Sequence, residues 1–241
     1  MISQTGQMDL ARTITIYVVY LGMAIFSIFI IFLILRRDTK KLNKIFCGFY
    51  LCSAIGVIIN AIYAPLELNP LVLILHFITY YLFCLAFCFL LIFNLILLKS
   101  EKIITLKKQL IILVIYGGLL LVMAPIAFLM DGITIDETTF WKPKYSLFFF
   151  IYAISVVSCI GIIPIVHYSI EIYKTFEDKI IRKRWKLYFI GMFIYFVVFY
   201  LTSLSNCLNI QVFRDYISII SLLLFGAIAL IYLGVGRQLA R

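Results

Sequence analysis

The chain has 241 residues, of which 65% are hydrophobic and 13% charged, and its formal charge at neutral pH is +10. A soluble domain carries roughly 45–50% apolar and about 25% charged residues, and 22 Phe with 16 Tyr are more than a globule of this length can hide. The composition excludes a soluble one- or two-domain protein and makes lipid the expected solvent.

Seven apolar stretches each reach the ~20 residues that a helix needs to cross a bilayer. They fall at about 13–35, 45–64, 71–98, 110–130, 146–170, 187–207 and 216–236. The runs are continuous rather than alternating, which predicts α-helices and not a β-barrel, because each span must satisfy its own backbone hydrogen bonds in hydrocarbon. The expected fold is an all-α integral membrane protein, a single bundle of seven transmembrane helices over 1–241 with no soluble domain.

The first span is too long for the core of a cleaved signal peptide and runs into "RRDTKK" without a small-residue cleavage site. Span two opens as "NKIFCGFYL" and ends with Asn60 and Tyr63, before the turn "APLELNP" that holds Glu67. In span three, His76 lies about six residues, or ~9 Å, inside the membrane, followed by Thr79 and Tyr80. Cys84 and Cys88 stack at i and i+4 on one face. The six Cys residues lie in spans or at their margins without a C-x-x-C pair, so they read as small packing residues.

Pro125 and Pro164 fall within spans four and five and predict a kink or a freed carbonyl in each. Between these spans, "DGITIDETTFWKPK" carries three acids, two Lys and Trp141. Tyr145 and Tyr152 stand around the start of span five, and His167 lies about 21 residues, or ~32 Å, from its outer end. The charged turn "KTFEDKIIRKRWK" leads into span six, which ends with Ser205 and Asn206. Arg214 and Tyr216 open span seven, and the chain closes "ALIYLGVGRQLAR", where Gly234 and Gly236 are expected to end the helix and Arg237 to stabilise its C-terminal end.

Basic residues set the expected orientation. Arg36, Arg37, Lys40, Lys41 and Lys44 follow span one; Lys99, Lys102, Lys107 and Lys108 follow span three. Lys174, Lys179, Arg182, Lys183, Arg184 and Lys186 follow span five, with Arg237 and Arg241 in the tail. The opposite side holds only Arg12, Lys142, Lys144 and Arg214. This bias places the N-terminus outside and the C-terminus in the cytoplasm of a cell membrane. Cations split among short turns form no nucleic-acid surface; lipid headgroups are their simplest partners.

Chemistry is sparse. Asp9, Glu67, Asp131, Asp136, Glu137 and Asp215 belong to the outer surface, and no span has an acid near its centre. That argues against proton pumping and against intramembrane aspartyl proteolysis. The two His residues sit in opposite leaflets, so they cannot pair on one haem or share a zinc. The last span has no Lys for a retinal Schiff base. No cofactor is expected, and no nucleophile–base or metal set can be assembled for an enzyme.

What remains is a belt in the outer third. Asn60, Tyr63, Glu67, His76, Thr79, Tyr80, Tyr145, Tyr152, Asn206 and Arg214 are the candidate ligand-binding residues, with Glu67 and Arg214 expected to close the pocket as a pair. An interfacial aromatic belt with helix-to-helix hydrogen bonds uses the same residue types. On the inner side, Arg182, Lys183, Arg184, Trp185 and Lys186 are the candidates for contact with a cytoplasmic partner or a second copy of the chain, and lipid anchoring explains them equally. A faint echo aligns Phe46-Cys47-Gly48-Phe49 with Phe189-Ile190-Gly191-Met192, pairing spans one to three with five to seven. Such repeats occur in transporters, which keeps a small uniporter or carrier as the alternative; a scaffold without ligand is a third.

Seven spans, the stretch "RKRWKLYFIGMF" after a basic turn and the close "LIYLGVGRQL" resemble the seven-helix sensor regions that precede some prokaryotic histidine kinases, and related stand-alone seven-helix proteins. The resemblance implies that the helices sense a ligand or a membrane state and pass it to a cytoplasmic domain. Arg241 follows Gly236 by five residues, so any output is expected to leave through the basic turns or another chain.

Overall fold

A computed structural model describes residues 10–236. Asp9, Arg237 and Arg241 lie outside the described residues, together with the expected role of Arg237 at the last helix. Among the described residues, seven helices are long and apolar enough to cross a membrane: α1 Ile14–Arg37, α2 Lys41–Tyr63, α3 Leu71–Lys99, α4 Leu106–Leu129, α5 Leu147–Thr175, α6 Lys179–Leu208 and α7 Gln211–Val235. This is an all-α bundle and a multi-pass membrane protein. Its exterior is apolar, as lipid requires: Val18 is 64%, Ile25 68% and Val114 70% exposed. The start of α1, the α2–α3, α4–α5 and α6–α7 connections share one end, here the hairpin end. The three other turns share the basic end.

α3 is the central helix and packs on α2, α4 and α5. Its Cys84, Phe87, Cys88, Leu90 and Phe93 have no accessible surface. α1 packs on α2, and α6 pairs along its length with α7. The α6–α7 pair is close because Gly191 and Gly234 have no side chain there. A Cβ at Gly191 would stand 2.6 Å from the Ala227 carbonyl oxygen, and one at Gly234 would stand 2.5 Å from the Tyr188 nitrogen. Gly234 therefore does not end the helix as expected. It lies inside the π-helical turn Tyr232–Gly236 as a contact surface.

Both prolines act as their chemistry predicts. Pro125 has no N–H for the carbonyl of Leu121, and α4 breaks there into Leu106–Leu121 and Met123–Leu129. Pro164 follows a π-helical turn, Val157–Ile162, in α5. Two connections differ from expectation. The basic run after Asp178 is helical and extends α6 to Lys179, because the Asp178 carboxylate accepts from the Ile180 N–H at 2.6 Å and caps the helix. The α4–α5 connection is a hairpin, where only helices were expected. β1 Ile133–Thr134 pairs antiparallel with β2 Lys144–Tyr145, and Asp136 and Thr139 cap a 3-10 turn between them.

Near the basic end, α3, α5 and α6 are tied by a buried polar cluster. Asn94 Nδ2 donates to Ser169 Oγ at 2.8 Å and to the Ile165 carbonyl at 3.2 Å. The Tyr188 hydroxyl donates to Asn94 Oδ1 at 2.9 Å, and Trp185 Nε1 donates to the Ser169 carbonyl at 2.8 Å. Asn94→Leu removes three of these bonds and strands the Tyr188 hydroxyl. Bonds of this kind average about 0.6 kcal/mol in a membrane bundle, so the variant is expected to lose about 1–2 kcal/mol. A thermal unfolding midpoint in detergent equal to wild type would show the cluster to be idle.

Candidate functional site

A cavity of about 230 Å³ opens at the hairpin end. Each wall is one helical face, spaced at three and four residues: Arg12 in the turn just before α1, then Thr15, Ile16, Tyr20 and Met23 on α1; His76, Thr79, Tyr80 and Phe83 on α3; Tyr195, Phe199, Ser203 and Asn206 on α6; Arg214 and Ser218 on α7. Asn60 and Tyr63 contribute from the last turn of α2, and Tyr145 from β2.

The centre of the wall is His76. It is 6% exposed, and both ring nitrogens are engaged: Nδ1 lies 2.7 Å from the Tyr63 hydroxyl and Nε2 lies 2.9 Å from the Tyr145 hydroxyl. A neutral imidazole serves both, donating at one nitrogen and accepting at the other. This bridge joins α2, α3 and the hairpin. Thr79 adds a second tie, donating to the Gly56 carbonyl at 3.2 Å, and Tyr80 bonds to Ser203 at 3.3 Å.

The hairpin is held over the cavity by cations. Arg12 donates to the Trp141 carbonyl at 2.8 Å and to the Ala64 carbonyl at 3.4 Å. Arg214 donates to the Pro143 carbonyl at 2.6 Å and to Asn209 Oδ1 at 2.9 Å. Lys142 Nζ donates to Gln211 Oε1 at 3.0 Å. Phe140 and Trp141 both have positive φ, 53° and 54°, a left-handed conformation that costs a non-glycine residue energy; the two arginines and the lysine hold the loop in it.

Below the cavity the bundle is filled. Tyr195 bonds to Ser53 at 3.0 Å, and Phe87 meets Tyr195, Phe196 and Phe199 edge-on with ring centroids 5.1–5.8 Å apart. Phe49 and Phe87 have no accessible surface. An aromatic plug thus separates the cavity from the basic end.

Eight of the ten expected ligand-binding residues line the cavity: Asn60, Tyr63, His76, Thr79, Tyr80, Tyr145, Asn206 and Arg214. Two do not. Glu67 is exposed in the α2–α3 turn, so the expected Glu67–Arg214 pair is replaced by the bonds from Arg214 to Pro143 and Asn209. Tyr152 faces α4, where its hydroxyl donates to the Leu119 carbonyl at 3.0 Å. Sequence reasoning missed the α1 face and Tyr195, although their three-and-four spacing was present. On the basic side, Arg182, Lys183 and Lys186 are exposed and Arg184 is half-buried. Trp185 is 3% exposed and packs inward, so it is unavailable to a partner. His167 sits at the surface 3.4 Å from Glu171. Among the described residues no group of His, Cys, Asp and Glu could hold a metal ion. Comparison with protein-family models, curated proteins and solved structures finds no match, so the function is argued from the site itself.

Proposed function

We propose that the protein is a receptor-like seven-helix sensor of a cell membrane, with the hairpin end outside and the basic end in the cytoplasm. A small ligand occupies the cavity and shifts the packing of α3, α6 and α7. The change leaves at the basic end, where Arg182, Lys183 and Lys186 meet a cytoplasmic signalling protein or a second copy of the chain. The observation that carries this reading is the pairing of a cavity beneath the hairpin, mostly apolar with polar groups such as His76 and Arg214 in its wall, with the aromatic plug beneath it. The plug leaves no open path through the midplane, and a carrier would have to move it to alternate access. The carrier alternative keeps one support: the aligned glycines Gly48 and Gly191 both stand where a Cβ would crowd the next helix, against Phe89 and Ala227.

Two measurements test the reading. Glu67→Cys is expected to react with a membrane-impermeant maleimide in intact cells, and Lys183→Cys only after permeabilisation; the reverse pattern overturns the orientation. Filling the cavity by Ser203→Phe is expected to change the labelling rate at Lys183→Cys by about twofold or more, as a population shift requires. An unchanged rate sinks the coupling, and steady solute flux through proteoliposomes of the pure protein favours the carrier.

A further inference from the structure

Arg214 is the cavity-lining cation with incomplete bonding. Its terminal nitrogen is used by Pro143 and Asn209, but Nε is buried without a hydrogen-bond partner. A buried donor without an acceptor carries its full desolvation cost, so Arg214, which lines the cavity wall, is the side chain there that gains from turning toward an acceptor supplied by a ligand. Cations outnumber acids among the described residues that line the cavity. Arg12, Lys142 and Arg214 line the cavity against a single carboxylate among the described residues, Asp215, which already accepts from Gln211 Nε2 at 2.8 Å. Deeper in, the walls turn apolar at Met23, Phe83 and Leu224.

We propose that the ligand is an amphiphilic organic anion, with its acidic group against Arg214 beneath the hairpin and its hydrocarbon part between α1, α3 and α7. This rests on the reading of the cavity as a ligand site. The cationic mouth raises the local concentration of anions, and the apolar floor rewards a tail that a bare inorganic anion lacks.

Three probes of equal chain length decide it: octanoate, octanol and octylammonium, titrated by calorimetry into the purified protein in phosphatidylcholine nanodiscs. Octanoate is expected to bind saturably and at least about tenfold more tightly than the other two, the effect of one charge-assisted hydrogen bond. Arg214→Gln is expected to weaken octanoate by at least about tenfold more than it weakens octanol, which loses only what the loosened hairpin costs, while Arg214→Lys, which keeps the charge, retains part of the octanoate affinity. Equal binding of octanoate and octanol, or preference for octylammonium, overturns the anion and leaves the cavity reading standing. Saturable binding by none of the three overturns both. Octanoate preference that survives Arg214→Gln removes Arg214 from the site. If that variant does not fold, the ranking of the three probes on the wild-type protein still decides the anion.

Discussion

Gly191→Leu is expected to separate α6 from α7 and leave no stable bundle, and Gly191→Ala to cost about 1–3 kcal/mol through overpacking. The reason is the nature of the neighbours. A new Cβ meets the Ala227 carbonyl oxygen at 2.6 Å and the Ile231 nitrogen at 2.9 Å, and backbone atoms in the middle of a helix cannot rotate aside as a side chain can. Gly234 repeats the situation against the Tyr188 nitrogen and the Arg184 carbonyl oxygen, at 2.5 and 2.8 Å. The two sites fasten both the middle and the basic end of one helix pair. Gly118 and Gly226 serve as controls, because a Cβ at either meets nothing within 4 Å. There, alanine is expected to stabilise by up to about 1 kcal/mol, the difference in helix propensity. Thermal unfolding in micelles compares the four positions directly. If Gly191→Ala and Gly118→Ala shift the midpoint alike, close packing is not what holds α6 to α7.

His76→Phe is the second large effect. It leaves the Tyr63 and Tyr145 hydroxyls buried without their shared partner, at about 1–3 kcal/mol each when nothing replaces it. Even the lower averages found in membrane bundles give about 1 kcal/mol for two bonds, so a loss of about 1–4 kcal/mol is expected. The asymmetry of buried polar groups supplies a sharper test. Changing Tyr63 and Tyr145 to Phe together with His76→Phe removes donors and acceptors alike, and this triple variant is expected to recover most of the lost stability. It should also fail to position the hairpin and should bind octanoate less well. A triple variant no more stable than the single one would mean that the bridge contributes packing rather than hydrogen bonds.

Depth in the membrane was legible from the residues, whereas direction around each helix was not. The seven spans follow from runs matched to bilayer thickness, and their ends fall within five residues of expectation except at the start of α6, which begins eight residues earlier. The ten candidates were gathered by their place in the outer third of the bundle, but nothing in an all-round apolar helix tells which face Tyr152 turns to α4. The α1 wall was missed for the same reason, since Ile16 and Met23 carry no polar contrast with their lipid-facing neighbours. Trp185 is the case where the signal existed. Trp185, Tyr188, Met192 and Tyr195 recur at three- and four-residue intervals and are all buried, so the core stripe of α6 runs straight through the basic cluster. Reading "RKRWK" as a loop hid that period.

The extension of α6 has a further physical consequence. Its 30 residues span about 45 Å, against a hydrocarbon layer of about 30 Å. The first two turns therefore stand ~12 Å beyond it and carry Lys179, Arg182, Lys183, Arg184 and Lys186 into the headgroup layer. Each such cation is worth about 1 kcal/mol at an anionic surface, so lipid charge enters the free energy of α6 as a ligand does. The far end of the same helix lines the cavity with Ser203 and Asn206. If, as proposed, a ligand occupies the cavity and shifts α6, then by linkage the headgroups change cavity affinity by one factor, and cavity occupancy changes the helix's preference for charged lipid by that same factor.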